Sequence, residues 1–138
     1  MSGKPIQITE FDLQRLRKLL LDAQSTAHRR NAYVDRLREE IERAQVRRPE
    51  EISGEVITMN TKAVLEDLDG GEDQTYTLVF PEDADVSNRR ISVLAPIGTA
   101  MLGYEVGDTF EWDVPAGKRH MRVKKIVYQP EAAGDYHL

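Results

Sequence analysis

The sequence predicts an α+β protein, a helical hairpin followed by a β-rich domain with one short helix, and two observations carry that reading. Across residues 9–44 apolar side chains recur every three to four positions, the spacing of one helical face. Beyond Pro49 they gather into short runs rich in Val, Ile, Thr and aromatics, which suits strands on a pleated, half-buried surface. The change of period at a proline also predicts the domain boundary: residues 1–49 form a short coiled coil and residues 50–138 the β-rich domain.

The first helix opens at Thr9, where Asp12 three residues on approximates a capping box. Leu13, Leu16 and Leu20 place an apolar stripe on one face, widened by Leu19 and Leu21. The stripe ends in the polar stretch Gln24 to Asn31, which reads as a turn. It resumes with Val34, Leu37, Ile41 and Ala44. Two striped helices with a short connection predict an antiparallel hairpin. Each arm of roughly 15 residues would reach about 22 Å. Pro49 is expected to end the second arm, because proline disfavours helix at the residue before it.

Strands are expected at Val56–Met59, Ala63–Leu65, Tyr76–Phe80, Ile91–Leu94, Thr109–Val114 and Met121–Tyr128. The last alternates in part, as a half-buried antiparallel strand does. Asp69-Gly70-Gly71 and Pro115-Ala116-Gly117 supply turns. Pro96 to Gly103 reads as the one short helix, with proline in its first turn and glycine at its stop. Sheet plus helix is an α+β inventory.

Composition narrows the class further. Of 138 residues, 40% are hydrophobic, enough for a core, and none is cysteine, which excludes disulfide and thiolate chemistry. No apolar run approaches a membrane span of ~20 residues, and the first ten residues lack a secretory signal. A soluble cytoplasmic protein is the expectation. The net charge of −5 is unevenly spread: residues 1–49 hold 11 basic and 7 acidic side chains, residues 50–138 hold 8 and 17. Such a split suits two surfaces meeting different electrostatic environments, or simply Arg-rich helices.

Groups for catalysis are sparse. His28, His120 and His137 have neither metal-ligand spacing nor a nucleophile to activate, and read as solvated or edge residues. Glu66-Asp67-Leu68-Asp69 and Glu82-Asp83-Ala84-Asp85 fit no calcium loop and read as solvated loops. Phe80, Phe110, Trp112 and Tyr128 read as core. No catalytic, cofactor or metal site is expected. His28-Arg29-Arg30 forms a basic tip on the hairpin, either a solvated turn or a contact for phosphate or an acidic protein surface.

One long segment adds a resemblance. Ile91-Ser92-Val93-Leu94-Ala95-Pro96-Ile97-Gly98-Thr99-Ala100-Met101-Leu102-Gly103, followed by Val106-Gly107-Asp108, is similar to the signature of Gre-type transcription factors. The strand, Pro-x-Gly turn and last strand that follow match in order. Val56 to Thr61 and the tail Tyr128 to Tyr136 resemble a short-hairpin branch of that family. The resemblance covers about residues 50–136 well and the hairpin only in kind.

It implies an FKBP-like antiparallel sheet wrapped on one short helix. It also implies a bacterial RNA polymerase partner, docked at the rim of the secondary channel with the hairpin pointing inward. Asp85, Pro96, Ile97 and Gly98 are the docking candidates by the same resemblance, although Pro96 and Gly98 equally serve helix initiation and close packing. Cleavage-stimulating members carry acidic residues at the hairpin tip that help hold Mg²⁺. Residues 25–32 contain no Asp or Glu, and carboxylate oxygens are what that ion needs. The expectation is therefore a non-enzymatic factor that competes for the channel without promoting cleavage, meeting nucleic acid only within the polymerase complex. Two rivals stay open: a prolyl isomerase, from the implied fold, and a direct nucleic-acid binder through the basic hairpin.

Overall fold

The computed structural model describes residues 5–24, 32–115, 117–136 and 138. Strand β1 (Gln7–Thr9) leads into helix α1 (Glu10–Gln24), and helix α2 (Ala32–Glu42) into strand β2 (Gln45–Arg47). Thr9 caps α1 as its sequence suggests: the Asp12 N–H donates to Thr9 Oγ1 at 3.0 Å. The expected basic tip, His28, Arg29 and Arg30, lies outside the described residues, as does His137.

The second helix stops at Glu42, well short of Pro49. Gln45–Arg47 instead pairs in parallel with Gln7–Thr9, and the Gln45 N–H donates to the Ile6 carbonyl at 2.8 Å. A nearby strand therefore ends the helix before the proline is reached. Leu16, Leu20, Val34, Leu37 and Ile41 are buried as their spacing predicts, whereas Leu21 is exposed, one position off the stripe.

The remaining strands are β3 (Lys62–Asp67), β4 (Asp73–Val79), β5 (Arg90–Ser92), β6 (Thr109–Val114) and β7 (Gly117–Tyr128). They form one sheet in the order β5-β4-β3-β7-β6. Three of its pairings are antiparallel, but β4 and β5 run parallel, with Leu78 opposite Ile91. The expected wholly antiparallel sheet is corrected on this point. Two 3₁₀ turns, Pro81–Asp83 and Val86–Asn88, carry the chain from the end of β4 back to the start of β5.

Val56–Met59 is buried but is no strand. Val56 makes a single bridge to Glu105, while Ile57 exchanges backbone hydrogen bonds with Tyr104 and Gly103. Its apolar run reports burial, not pairing. Helix α3 (Pro96–Met101) matches the expected short helix. A second, α4 (Pro130–Ala133), was not expected. Gln129 caps it through Oε1, and its Nε2 donates to the Ser53 and Val56 carbonyls, both at 2.8 Å.

One core serves the helices and the sheet. Leu16 and Leu37 from the helices join Ile57, Leu65, Leu78, Met101 and Val123 in a single cluster. Each such side chain contributes about 1.5–3 kcal/mol by burial. Gly103 seals the seam between them: its φ is +82°, and a Cβ there would lie 2.4 Å from the Ile6 Cβ. Only glycine adopts this backbone and admits so close a neighbour.

Candidate functional site

The four docking candidates share one edge of the sheet but do different work there. Asp85 precedes the second 3₁₀ turn, and its carboxylate accepts from Ser87 Oγ at 2.7 Å and Asn88 Nδ2 at 2.6 Å. The Ser87 hydroxyl, then the Asn88 amide, hold that carboxyl below the usual carboxylate range. Its backbone exchanges two 2.9 Å hydrogen bonds with Arg90, which starts β5. Strand β5 then delivers the chain to Ser92, and the Ala95 N–H donates back to the Ser92 carbonyl at 3.0 Å to set the start of α3.

Pro96 is half-exposed at the first position of α3, where its missing N–H costs nothing. Ile97 is buried, 6% exposed, and belongs to the core. Gly98 is buried against the backbone: a Cβ there would sit 2.0 Å from the Ser92 carbonyl oxygen. Asp85 and Pro96 therefore offer surface, while Ile97 and Gly98 hold the helix that presents it. Sequence reasoning missed Val86, which is 82% exposed beside Asp85. A lone valine between polar residues carries no apolar periodicity.

A second feature ties the helices to the sheet. Asp12 is fully buried, and its Oδ2 accepts the Met59 N–H at 3.0 Å while Oδ1 receives Arg15 Nη2. The Arg15 guanidinium lies over two rings, its carbon 3.9 Å from the Phe11 centroid and 4.8 Å from that of Phe80. Next to it, Thr58 Oγ1 donates to Glu131 Oε1 at 2.7 Å, leaving Thr61 to donate to Thr58 at 2.9 Å. Burial pushes the Asp12 carboxyl up, against the pull of the Met59 N–H and Arg15. Burial raises Glu131 likewise, against the Thr58 hydroxyl. The Asp12 cap was visible in sequence; its partner 47 residues away was not.

Glu82 and Asp83 are exposed in a turn as expected, but the first acidic stretch is not a plain loop. Glu66 and Asp67 lie in β3, and the buried Asp67 carboxylate accepts the Asp69 and Gly70 N–H groups, organising the turn to β4. His120 sits between Asp69, 3.3 Å from Nδ1, and Glu111, 3.6 Å from Nε2. The His120 N–H holds Asp69 below its usual range. Among the described residues no three His, Asp or Glu side chains converge as metal ligands, and no helix is long and apolar enough to cross a membrane. Of the four expected core aromatics, Phe80 and Phe110 are buried and Trp112 packs against the core. Tyr128 departs from the expectation: it is half-exposed and donates to Asp135 Oδ2 at 2.6 Å. That bond stabilises the neutral phenol and raises it to about 12.

Comparison with known proteins places this arrangement. The family described as "Transcription elongation factor, GreA/GreB, C-term" matches residues 52–128, and the chain belongs to that family. Residues 4–46 match a second pattern, described as the Rnk N-terminus. Over its whole length the chain is similar to the regulator of nucleoside diphosphate kinase of Escherichia coli (strain K12), 41% identical over 139 residues with 100% of each covered. A transcription elongation factor GreA of Nitratidesulfovibrio vulgaris (strain DP4) is 41% identical over 75 residues, covering 54% of this chain and 46% of that one. Among solved structures, the elongation factor GreA/GreB from Nitrosomonas europaea superposes with a TM-score of 0.75 at 36% identity, covering 91% of this chain and all of that one. Thermus aquaticus Gfh1 gives 0.50 at 28% identity, covering 90% and 99%.

Proposed function

We propose that this chain is an RNA polymerase-binding transcription regulator that docks at the rim of the secondary channel and competes there with Gre-type factors without stimulating transcript cleavage. The observation that carries the last clause is the composition of residues 25–32, which hold His28, Arg29 and Arg30 and no carboxylate. Holding a second Mg²⁺ beside the polymerase centre requires acidic oxygens, and a cationic stretch repels the ion. Family membership and the full-length likeness to the regulator of nucleoside diphosphate kinase support the polymerase partner.

On this reading the two parts divide the work. Residues 50–138, in an FKBP-like arrangement of sheet around α3, dock on the polymerase. Residues 1–49 form an antiparallel hairpin that occupies the channel. α1 and α2 have 15 and 11 residues, about 22 and 16 Å at 1.5 Å per residue, so the tip stops short of the catalytic centre. Asp85 and Pro96 form the docking edge together with exposed Val86; Ile97 and Gly98 act through the packing of α3.

The test uses purified core polymerase and backtracked elongation complexes. The chain is expected to co-elute with polymerase, to be displaced by a cleavage-stimulating Gre factor, and to leave backtracked transcripts uncut. Robust cleavage that depends on residues 25–32 would sink the reading.

A further inference from the structure

The solvent face of the large sheet has two ends of different electrostatic character. Side chains alternate along each strand. Ala63 and Leu65 of β3, Tyr76 and Leu78 of β4, and Ile91 of β5 face the core, so Lys62, Thr75, Thr77 and Arg90 face outward. At one end of this face charges cancel locally: Lys124 pairs with Asp73 at 2.7 Å and Arg122 with Glu66 at 3.4 Å. At the other end they do not. Tyr128, Lys62, Thr77 and Arg90 are successive partners across β7, β3, β4 and β5, which places the Cα atoms of Lys62 and Arg90 about 10 Å apart.

These residues line an open cleft of about 810 Å³, bordered also by Asn60, Thr75, Asn88 and Arg89. No Asp or Glu side chain lines it, although residues 50–138 hold 17 acidic against 8 basic side chains. Among the described residues, none of its three cations is bonded to an Asp or Glu carboxylate. Arg89 donates to Gln74 Oε1, Arg90 Nε donates to the Asp83 carbonyl at 3.1 Å, and Lys62 has no carboxylate partner among the described residues. Two carboxylates stand behind the lining, each occupied by one of its residues: Asp135 accepts from the Tyr128 hydroxyl, and Asp85 from Ser87 and Asn88. The main-chain carboxylate of Leu138 also lies at the rim, where one of its oxygens accepts from Asn60 Nδ2 at 2.6 Å, so three cations face this one anion.

Backbone geometry marks the same place independently. Asn60 and Arg89, with φ of 66° and 56°, are the two non-glycine residues in the left-handed region among the described residues, and both border this cleft. Asparagine visits that region readily; arginine does so against a steric penalty. Arg89 is held there as the C-cap of the Val86–Asn88 turn, its N–H donating to the Val86 carbonyl at 3.0 Å, and strained positions of this kind cluster at ligand sites.

We propose that this cleft binds a compact phosphate-bearing anion, with Lys62, Arg89 and Arg90 neutralising charge and Thr75, Thr77 and Asn88 donating hydrogen bonds. Arginine and lysine around hydroxyl and amide donors are the recurring chemistry of phosphate recognition. The proposal goes beyond the polymerase reading and does not depend on it, because binding is measured on the free chain.

The experiment is isothermal titration of the full chain with sodium pyrophosphate, with arms using inorganic phosphate and a single-stranded oligonucleotide. Pyrophosphate is expected to fill one saturable site, with orthophosphate weaker. Lys62→Glu and Arg90→Ser should each weaken it at least about tenfold. Arg89→Gly relieves the left-handed strain, so it should weaken binding while leaving the melting temperature within about 2 °C of the original. The proposal is overturned by no saturable pyrophosphate binding, by affinity unchanged in Lys62→Glu, or by binding of the oligonucleotide alone. An Arg89→Gly chain that melts much lower yet keeps its affinity overturns the role given to Arg89.

Discussion

Replacing Gly98 by alanine separates a residue that touches a partner from one that positions the surface. The new Cβ would lie 2.0 Å from the Ser92 carbonyl oxygen, 2.9 Å from its carbon and 3.1 Å from the Val93 Cα. All three atoms are backbone, so no side-chain rotation relieves the contact. That backbone is fastened as well: the Val93 N–H donates to the Val79 carbonyl at 2.9 Å, and Thr99 Oγ1 donates to the Val93 carbonyl at 2.6 Å. Helix α3 has to move by more than 1 Å or β5 has to give way. Overpacking of this kind costs about 1–3 kcal/mol, and the rigid surroundings argue for the upper end. For a chain of this length ~3 kcal/mol lowers the melting temperature by about 10 °C. Thermal unfolding followed by far-ultraviolet circular dichroism, beside a polymerase-binding assay, tests it. A variant that melts within about 2 °C of the original while losing polymerase would refute the packing argument and make Gly98 a contact residue.

Other perturbations probe the remaining parts. Pro96→Ala, Asp85→Lys and Val86→Ser should each weaken polymerase binding with melting nearly unaltered; retention of full affinity in all three would move the docking surface elsewhere. Asp12→Ala strands the Met59 N–H and leaves Arg15 over its rings without the Asp12 carboxylate, so about 3 kcal/mol of stability should be lost in urea unfolding. Asp12→Asn should change the pH dependence instead. Burial raises the folded carboxyl above its unfolded value, so its contribution to stability falls as pH rises from about 4 towards the raised value. The Asn variant should therefore gain on the original chain as pH is raised through that window, and a difference that stays flat or runs the other way would contradict the burial argument. Asp135→Asn should bring the Tyr128 phenol down from about 12 towards its ordinary value, read by ultraviolet absorbance titration; an unmoved midpoint would exclude the hydrogen bond as its cause.

The extent to which the sequence was readable follows the range of the interactions involved. Thr9 as a cap, Leu16 and Leu37 as core, β6 at Thr109–Val114 and the turn at Asp69-Gly70-Gly71 depend on neighbours within a few residues, and the structure has them in place. β2 escaped notice because Gln45-Val46-Arg47 is exposed throughout and has no apolar alternation; its partner is the segment Gln7–Thr9. α4 did carry a readable signal, Pro130 at its first position and Gly134 at its stop with φ of +80°. The docking candidates were legible as a motif, but not the division among them. A motif records which residues are required, and packing decides whether they face the solvent or the core.

The sequence by itself determined the α+β composition, the change of period at Pro49, the glycines around α3 and the acid-free stretch 25–32, because each rests on local stereochemistry or on side-chain identity. Only the tertiary structure decided that Asp12 serves Met59 as well as its own helix, that Ile97 and Gly98 point inward while Asp85, Val86 and Pro96 do not, and that one end of the sheet gathers Lys62, Arg89 and Arg90 in a cleft lined by no described Asp or Glu side chain. Those outcomes turn on which distant segments become neighbours. Neither periodicity nor residue type encodes that, since it is settled by how one core closes around two helices and a sheet.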